Sequence, residues 1–166
     1  MNPLIVTQFI GASAEAVWSA ITDFEHCDRR ISGITRVEVL HRPSSGELVG
    51  LVWRETRLMY GKEATEEMRI VESVEGEYYV AEASNHGALY RSKFSVKPTT
   101  HGCDLSMSFE AEAQTWFAKI MNVIFSRMMR KSLLTMIEKD LADIAKSVEL
   151  DRSGRMRDTR SENSEI

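Results

Sequence analysis

Three charged side chains occupy a segment whose pattern is otherwise that of a β-hairpin. Glu55 and Arg57 lie two residues apart, and Glu66 follows a turn centred on Tyr60 and Gly61. Strand side chains alternate between faces, so hairpin pairing places all three on one face, with Glu66 opposite Glu55. Two facing carboxylates favour a cation between them, and a guanidinium can bridge both and still donate to a ligand oxygen. The pattern therefore predicts that Arg57 is the polar anchor of a pocket.

A second interpretation of these charges needs no ligand. Burying a charge is costly unless it is paired, so the same side chains could instead lie at an open, solvated rim of the sheet. Two further cations, Arg127 and Arg130, project onto the apolar side of a later helix and are candidates to join the anchor. The sequence leaves both the anchor and the solvated rim open.

Other catalytic or metal chemistry finds little support in the residue pattern. The chain has no Cys-x-x-Cys pair, Ser-His-Asp order or glycine-rich phosphate loop, and Cys27 and Cys103 are its two cysteines. Cys103 has no histidine opposite it in the predicted pairing, so a nucleophilic thiol is not expected. We expect no metal, no cofactor and no assignable catalytic residue. All four histidines fall at predicted turns or element ends: His26, His41, His86 and His101.

Length and composition bound the class of protein. A chain of 166 residues is long enough for one domain with a substantial core. The net charge of −4, with mixed signs, does not predict nucleic-acid binding. No apolar run approaches the roughly 18 residues that a membrane-spanning helix needs, and the first residues lack the pattern of a secretory signal. We therefore expect a cytoplasmic protein with free thiols, and a homodimer is one open arrangement.

Alternating apolar patterns separated by turn residues predict seven strands. After the first strand, Ser13 can cap a short helix with apolar positions Val17, Trp18 and Ile21, and a second short helix is predicted from His26 to Ile31. From Glu47 onward, turn residues at hairpin spacing predict consecutive antiparallel strands. The predicted strands are 4–10, 34–40, 48–59, 62–74, 77–84, 89–97 and 103–112.

The C-terminal part of the chain predicts one long helix, about Ala113 to Leu150, with apolar residues at helical spacing. Its main apolar stripe is Trp116, Ile120, Val123, Leu134, Ile137, Leu141, Ile144 and Val148. Its first half has a second apolar face, which fits a kink near Ser126 to Arg130, packing on two sides, or the wall of a ligand cavity. That second face is Phe117, Met121, Ile124, Phe125 and Met128. Beyond this helix the composition is polar and charged, so residues 151–166 are expected to be a disordered tail. The predicted domain therefore consists of residues 1–150.

Centring each turn fixes the predicted register of the hairpins, because opposed residues share a face. One face then carries cross-strand ion pairs, Arg54 with Glu67 and Glu82 with its neighbours Arg69 and Arg91, which is typical of a solvent face. The last hairpin is predicted to set Phe94, Ser92 and Tyr90 opposite Leu105, Met107 and Phe109, respectively.

The other face of the predicted sheet, the inner face, turns towards the long helix. Its centre carries the small residues Ala81, Ala83 and Ser92, with large residues towards the ends, so a hollow is expected there. The inner face consists of Leu51, Trp53, Met68, Ile70, Tyr79, Ala81, Ala83, Tyr90, Ser92, Phe94, Leu105, Met107 and Phe109.

The order of elements and several short stretches carry a family resemblance. These stretches are Ser13-Ala14-Glu15-Ala16-Val17-Trp18, Gly33-Ile34-Thr35-Arg36-Val37-Glu38-Val39, and Gly50 followed by Trp53-Arg54-Glu55-Thr56-Arg57 and Gly61-Lys62-Glu63-Ala64-Thr65-Glu66-Glu67-Met68. Over about residues 4 to 149 the chain resembles the SRPBCC superfamily, which includes START lipid-transfer domains, plant allergen-type proteins and bacterial polyketide cyclases. The resemblance implies an α+β helix-grip fold: a seven-stranded antiparallel sheet wrapped around a long C-terminal helix, with two short helices between strands 1 and 2 and a hydrophobic cavity.

Three functions follow from this pattern, since one fold serves many activities. The first is binding of a small or medium-sized hydrophobic ligand between sheet and helix. The second is a polyketide cyclase/dehydrase-like reaction that uses cavity arginine, glutamate and tyrosine groups, and the third is docking of a protein through the first half of the long helix. The predicted ligand-binding residues are Trp53, Glu55, Arg57, Glu66, Met68, Tyr79, Ala81, Ala83, Tyr90, Ser92, Met107, Phe109, Ile120 and Ile124.

Overall fold

The computed structural model describes residues 3–59, 61–85, 88–113 and 116–162. For residues 59, 113, 116–129 and 155–162 it describes the backbone only. The strands are β1 (Leu4–Ile10), β2 (Ile34–His41), β3 (Val52–Met59), β4 (Lys62–Val74), β5 (Tyr78–Asn85), β6 (Ala88–Thr99) and β7 (Gly102–Ala113). The helices are α1 (Ala14–Thr22), α2 (Cys27–Arg30) and α3 (Trp116–Glu162), with a 3₁₀ turn at Phe24–His26 before α2. This order confirms the α+β helix-grip fold expected from the sequence.

The first short helix, α1, forms where the sequence places a cap and an apolar stripe. Ser13 Oγ accepts a hydrogen bond from the Ala16 amide at 3.2 Å, which satisfies one of the free amides at the start of α1. Val17, Trp18 and Ile21 are buried on one side of α1. The indole nitrogen of Trp18 donates to Glu75 at 2.9 Å, so α1 is tied to the turn between β4 and β5.

All seven strands form one antiparallel sheet in the order β1-β7-β6-β5-β4-β3-β2. The predicted registers of the first three long hairpins are confirmed: Trp53 lies opposite Met68, Met68 opposite Ala83, and Ala81 opposite Ser92. Gly61 and Gly76 adopt positive φ angles of 75° and 76° in two of the turns, a backbone conformation that glycine tolerates best. Turn chemistry and alternation were therefore sufficient to align these strands.

The predicted register of the last hairpin is wrong by two residues. Phe94 lies opposite Met107 and Ser92 opposite Phe109, because β6 continues through Pro98 to Thr99 and the turn takes only the two residues after it. The prediction ended the strand at the proline and so made the turn too long. A shift of two residues leaves the faces unchanged, so the assignment of inner-face residues survives the error.

The long helix also differs from its predicted bounds. Ala113 ends β7, and α3 is a continuous helical element from Trp116 to Glu162. Residues 151–162 are therefore helical in the structure, where the sequence predicts disorder. Within this segment the Ser153 hydroxyl donates to the Glu149 carbonyl, and the Arg152 guanidinium donates to the Gly11 carbonyl. The division of the chain at residue 150 stays a prediction. No helix in the described ranges is long and apolar enough to cross a membrane.

The second half of α3 packs on the sheet as its apolar stripe predicts. Ile137, Leu141, Ile144 and Val148 are buried, and they join the core formed by α1 and the inner face of the sheet. On the opposite side of the sheet, Arg54 makes exposed ion pairs with Glu67 at 3.4 Å and Glu38 at 3.6 Å. The solvent face and the core face are thus the ones that the sequence predicts.

Candidate functional site

The inner face of the sheet is closed at one end and partly open at the other. Its closed part, covered by α1, the 3₁₀ turn and the second half of α3, is fully buried: Leu51, Trp53, Ile70, Tyr79, Ala81 and Leu105. The remaining positions on the same face are only half-buried, with Ala83 buried between them: Met68, Tyr90, Ser92, Phe94, Met107 and Phe109. All of these side chains point to one side of the sheet, so the difference in burial reflects what covers them and not which way they face.

Aromatic rings define the boundary between the two parts. Phe24 packs on Trp53 and Tyr79 with ring centroids 4.7 and 5.7 Å away, and the Tyr79 hydroxyl donates to the Ile21 carbonyl at 3.4 Å. Burial raises the pKa of Tyr79 well above its usual range, so this hydroxyl stays protonated. Trp53 and Tyr79, both predicted to contact a ligand, therefore lie in the packed core beneath the 3₁₀ turn.

The half-buried part has its own aromatic pair. Tyr90 and Phe109 stack with centroids 5.9 Å apart and an interplanar angle of 26°. They flank Ser92, whose neighbours in the pairing are Ala81 on one side and Phe109 on the other. Small residues beside stacked rings form a flat, apolar surface on the inner face, where the sequence predicts a hollow.

The polar cluster at the end of β3 is held by Arg57. Its Nε donates to Glu55 on the same strand, and its Nη1 donates to Asp140 on α3 at 2.7 Å. Glu55 and Asp140 are 8% and 5% exposed, and the Arg57 side chain is 20% exposed. The solvated-rim interpretation therefore does not hold for Glu55, because its carboxylate is buried and paired.

One of the two predicted partners of Arg57, Glu55, is confirmed, and the other, Glu66, is wrong. Glu66 lies opposite Glu55, as the register requires, but the guanidinium turns to Asp140 and not to Glu66. Glu66 is half-buried on the open part of the inner face. Glu66 is two positions before Met68 on β4, and Met68, Ala83 and Tyr90 lie side by side across β4, β5 and β6, so Glu66 and Tyr90 share this part of the face. The Glu66 carboxylate adds to the effect of burial in raising the pKa of Tyr90. Glu66 thus belongs to the aromatic surface, and Glu55 with Arg57 belongs to the contact between sheet and helix.

Asp140 is the site residue that the sequence reasoning missed. It lies between Ile137, Leu141 and Ile144 on α3, which places a carboxylate within an apolar helical stripe. That misplaced charge was the available signal, since a buried carboxylate requires a partner. The backbone just before β2 lies against this ion pair, since a Cβ at Gly33 would be in van der Waals contact, at 3.6 Å, with both Arg57 Nη1 and Asp140 Oδ1. One turn further along α3, Asp143 accepts from the Ser32 amide at 3.0 Å, so the loop before β2 positions the helix.

Burial and charge set the ionisation of the cluster. Burial raises the pKa of the Asp140 carboxyl above its usual range, although the Arg57 guanidinium opposes the shift. Burial alone would lower the pKa of Arg57, but the carboxylates of Glu55 and Asp140 outweigh it and raise that pKa, so the guanidinium stays charged. The cluster is therefore a fixed cation held between two carboxyl groups, one of which takes up a proton more readily than usual.

A thiol lies close to this cluster. Burial, with a contribution from the Glu55 carboxylate, raises the pKa of Cys27 to about 12. A thiolate is the nucleophilic form of cysteine, so Cys27 is unreactive at neutral pH. Among the described residues, no group of three or more His, Cys, Asp or Glu side chains is arranged to hold a metal ion.

Several predicted site residues fall outside the described part of the chain. The side chains of Ile120 and Ile124, both predicted to contact a ligand, lie there, as do Arg127 and the apolar face formed by Phe117, Met121, Phe125 and Met128. Arg130, the other candidate for the anchor, is exposed. Outside the sheet–helix space, the sequence did not predict an open groove of about 1320 Å³ that lies along α1. It is bounded by the β6–β7 turn and by Val148, Asp151 and Arg152 of α3.

Comparison with known proteins identifies the family. The family model described as "Polyketide cyclase / dehydrase and lipid transport" matches residues 4–149. The chain belongs to this family. A comparison with curated protein sequences finds no significant match.

Solved structures with the same fold share little sequence with this member of the family. A protein of Thermus thermophilus superposes with a TM-score of 0.74 at 14% identity, covering 90% of this chain and 99% of that one. The di-domain aromatase/cyclase StfQ of the steffimycin pathway gives 0.73 at 14% identity, covering 92% of this chain and 51% of its own. The Zhui aromatase/cyclase from a Streptomyces species gives 0.64 at 12% identity, covering 89% and 93%. These similarities establish the helix-grip fold alone.

Proposed function

We propose that this protein binds a small or medium-sized hydrophobic ligand on the half-buried part of the inner face, beneath the first half of α3. The observation that carries the proposal is the uneven burial of one continuous face: Leu105 is fully buried, whereas Met107 and Phe109 on the same side of β7 are not. A packed core would cover all three. Membership of a family described by cyclase, dehydrase and lipid-transport activities supports the same conclusion.

The chemistry of the surface indicates which ligands it would take. Stacked Tyr90 and Phe109 offer a flat contact for rings or extended chains. Glu66 lies on this surface, whereas the guanidinium of Arg57 already bonds to the carboxyl groups of Glu55 and Asp140. An acidic ligand would therefore meet a carboxyl group at the surface and a guanidinium that already has two anionic partners. We expect a neutral ligand with hydroxyl or phenol donors to bind more tightly than a carboxylate of the same size.

The decisive experiment fills the expected hollow. Ser92→Leu adds apolar volume at the centre of the inner face, and Ser95→Leu makes the same change on the outward side of the same strand. We expect Ser92→Leu to abolish binding of the neutral probe phenylnaphthylamine, followed by fluorescence, while leaving the urea midpoint unchanged or higher. Native mass spectrometry of the freshly purified wild-type protein should reveal a carried-over apolar molecule that Ser92→Leu lacks.

A packed inner face would give the opposite result. Overpacking a filled core costs about 1–3 kcal/mol, so a large loss of stability in Ser92→Leu, with no probe binding by the wild type, would refute the proposed site. Ser95→Leu should match the wild type in both measurements, because its side chain lies on the solvent face.

A cyclase-type reaction is the second candidate, and the observation that favours it is the raised pKa of Asp140 beside Glu55 and Arg57. A carboxyl group with a raised pKa is suited to exchange protons with a bound polyketone. If this is correct, the protein speeds the aromatisation of a linear poly-β-ketone, and Asp140→Asn slows it by about 10²-fold or more. Glu67→Gln, on the solvent face, is the control. Equal rates of aromatisation with and without the protein would exclude this function.

The cytoplasmic location expected from the sequence stays a prediction.

A further inference from the structure

The two edges of the sheet differ in their protection against pairing. The edge strand β2 carries Arg36 and Glu38, both with exposed or half-exposed side chains. Charged side chains on an edge strand discourage association with another sheet. The opposite edge, β1, has the sequence Leu-Ile-Val-Thr-Gln-Phe-Ile and no charged residue. Within the described sheet β1 pairs with β7 on one side only, so its other side has no strand partner. One carbonyl of the strand, that of Phe9, accepts from the Gln8 side chain at 2.9 Å.

The outer face of β1 adds exposed apolar surface to this edge. Ile5 is 62% exposed and Phe9 is 49% exposed, with Thr7 between them. Their neighbours on β7 are polar and cannot cover them: Ser108, Ser106 and Asp104. Two large apolar side chains on an uncharged free edge favour a partner strand.

The strand is complementary to itself. In an antiparallel pair centred on Thr7, Ile5 of one copy lies opposite Phe9 of the other, and Thr7 lies opposite Thr7. On the inner side, Leu4 lies opposite Ile10. Opposed apolar side chains stabilise a strand pair, and no like charges meet in this one. We propose that β1 pairs with β1 of a second copy of this chain, joining the two seven-stranded sheets into one continuous sheet.

The surroundings of β1 suit such a pairing. The Gly11 amide donates to Glu149 at 2.9 Å, and Arg152 donates to the Gly11 carbonyl, so α3 holds the end of the strand in place. A preorganised edge loses less conformational freedom when it binds. Beside it, a groove of about 480 Å³ between β1 and α3 is lined by Lys146, Glu149 and the exposed Leu150. Because this groove contains both a cation and an anion, it does not repel a copy of itself.

Sedimentation velocity over a concentration series tests the proposal. The wild type should associate to a dimer, and Ile5→Lys should raise the dissociation constant about tenfold or more, because two lysines would enter one interface. Leu40→Lys, the same type of change at the exposed Leu40 of the other edge strand, should leave association unchanged. A wild type that is monomeric at every concentration, or a dimer that Ile5→Lys does not weaken, would overturn the proposal.

A cross-linking variant decides the outcome even if Ile5→Lys folds poorly. Thr7→Cys places one thiol on the twofold axis, where Cβ atoms of opposed residues are about 4.5–5.5 Å apart, so mild oxidation should give a covalent dimer. Thr35→Cys on β2 is the matched control. The native Cys27 is half-buried and Cys103 is buried, so neither is expected to cross-link. Failure of Thr7→Cys to cross-link would overturn the proposed register. The interface lies on the free edge and outer face of β1, so either outcome leaves the proposed ligand site unaffected.

Discussion

Replacing Arg57 with methionine tests whether the ion cluster fastens the sheet to α3. Methionine keeps most of the apolar stem of the side chain but removes the guanidinium. Glu55 and Asp140, which are 8% and 5% exposed, would then lose the cation that bonds to both. Among the described residues, no other cation is bonded to Glu55 or to Asp140, so neither carboxylate would have a replacement for the guanidinium.

The magnitude follows from the burial of the cluster. Removing one partner of a buried ion pair costs about 3–5 kcal/mol, because the remaining charge is left without compensation. Since the Arg57 side chain retains 20% exposure, solvent can reach part of the site, and we expect a loss near the lower end, roughly 3 kcal/mol. For a domain of this size that corresponds to a fall in Tm of roughly 6–12 °C.

The loss should depend on pH in a defined direction. Without Arg57, no guanidinium opposes the effect of burial on the Asp140 carboxyl, whose pKa in the folded protein then lies further above its unfolded value. Such a group stabilises the fold when protonated, and that contribution is lost as the pH rises through the folded pKa. The gap in unfolding free energy between wild type and Arg57→Met should therefore narrow as the pH is lowered from about 7 towards about 4.

Urea denaturation of both proteins at several pH values measures this gap. Arg54→Met is the matched control: Arg54 lies three residues earlier on β3 and makes ion pairs on the solvent face. Exposed pairs contribute about 0–1 kcal/mol, so this variant should stay close to the wild type at every pH. If Arg57→Met were no less stable than Arg54→Met, or if its deficit did not change with pH, the cluster would not fasten α3 to the sheet.

Two further predictions concern the thiols and a close backbone contact. Burial raises the pKa of Cys27 to about 12, so the native protein should react slowly with Ellman's reagent at neutral pH. Unfolding in urea should expose both thiols to rapid reaction. Rapid labelling of Cys27 in the folded protein would contradict this prediction. Gly102→Ala would place a Cβ 2.2 Å from the Ile10 carbonyl oxygen and 3.0 Å from the Phe9 ring, so it should lower stability by roughly 1–3 kcal/mol in thermal unfolding. Gly154→Ala, at a helical position with open space around it, should instead gain up to about 1 kcal/mol, and equal effects at the two glycines would refute the close contact.

Local pattern was sufficient to align the strands from β3 to β6. The alternation of side chains along β3, β4 and β5, with turn residues between them, determines both the register and the face of Trp53 and Met68. Both signals act over a few residues, so they can be recognised without knowing the fold. The error in the last hairpin has the same origin, since the length of the turn after Pro98 depends on pairing and not on composition alone.

The partner of Arg57 was decided by the tertiary structure. Asp140 lies 83 residues after Arg57 in the chain. The sequence alone does not specify which turn of α3 packs against the end of β3. Part of that placement comes from Ser32, whose amide and hydroxyl donate to Asp143 on α3. Periodicity predicts which face of a helix is buried. How the helix packs on the sheet decides which strand that face contacts and how deeply a charged side chain on it is buried. The sequence by itself therefore determined the strands, their faces and the candidate residues Glu55 and Arg57, whereas the packing of α3 decided which carboxylates share the guanidinium.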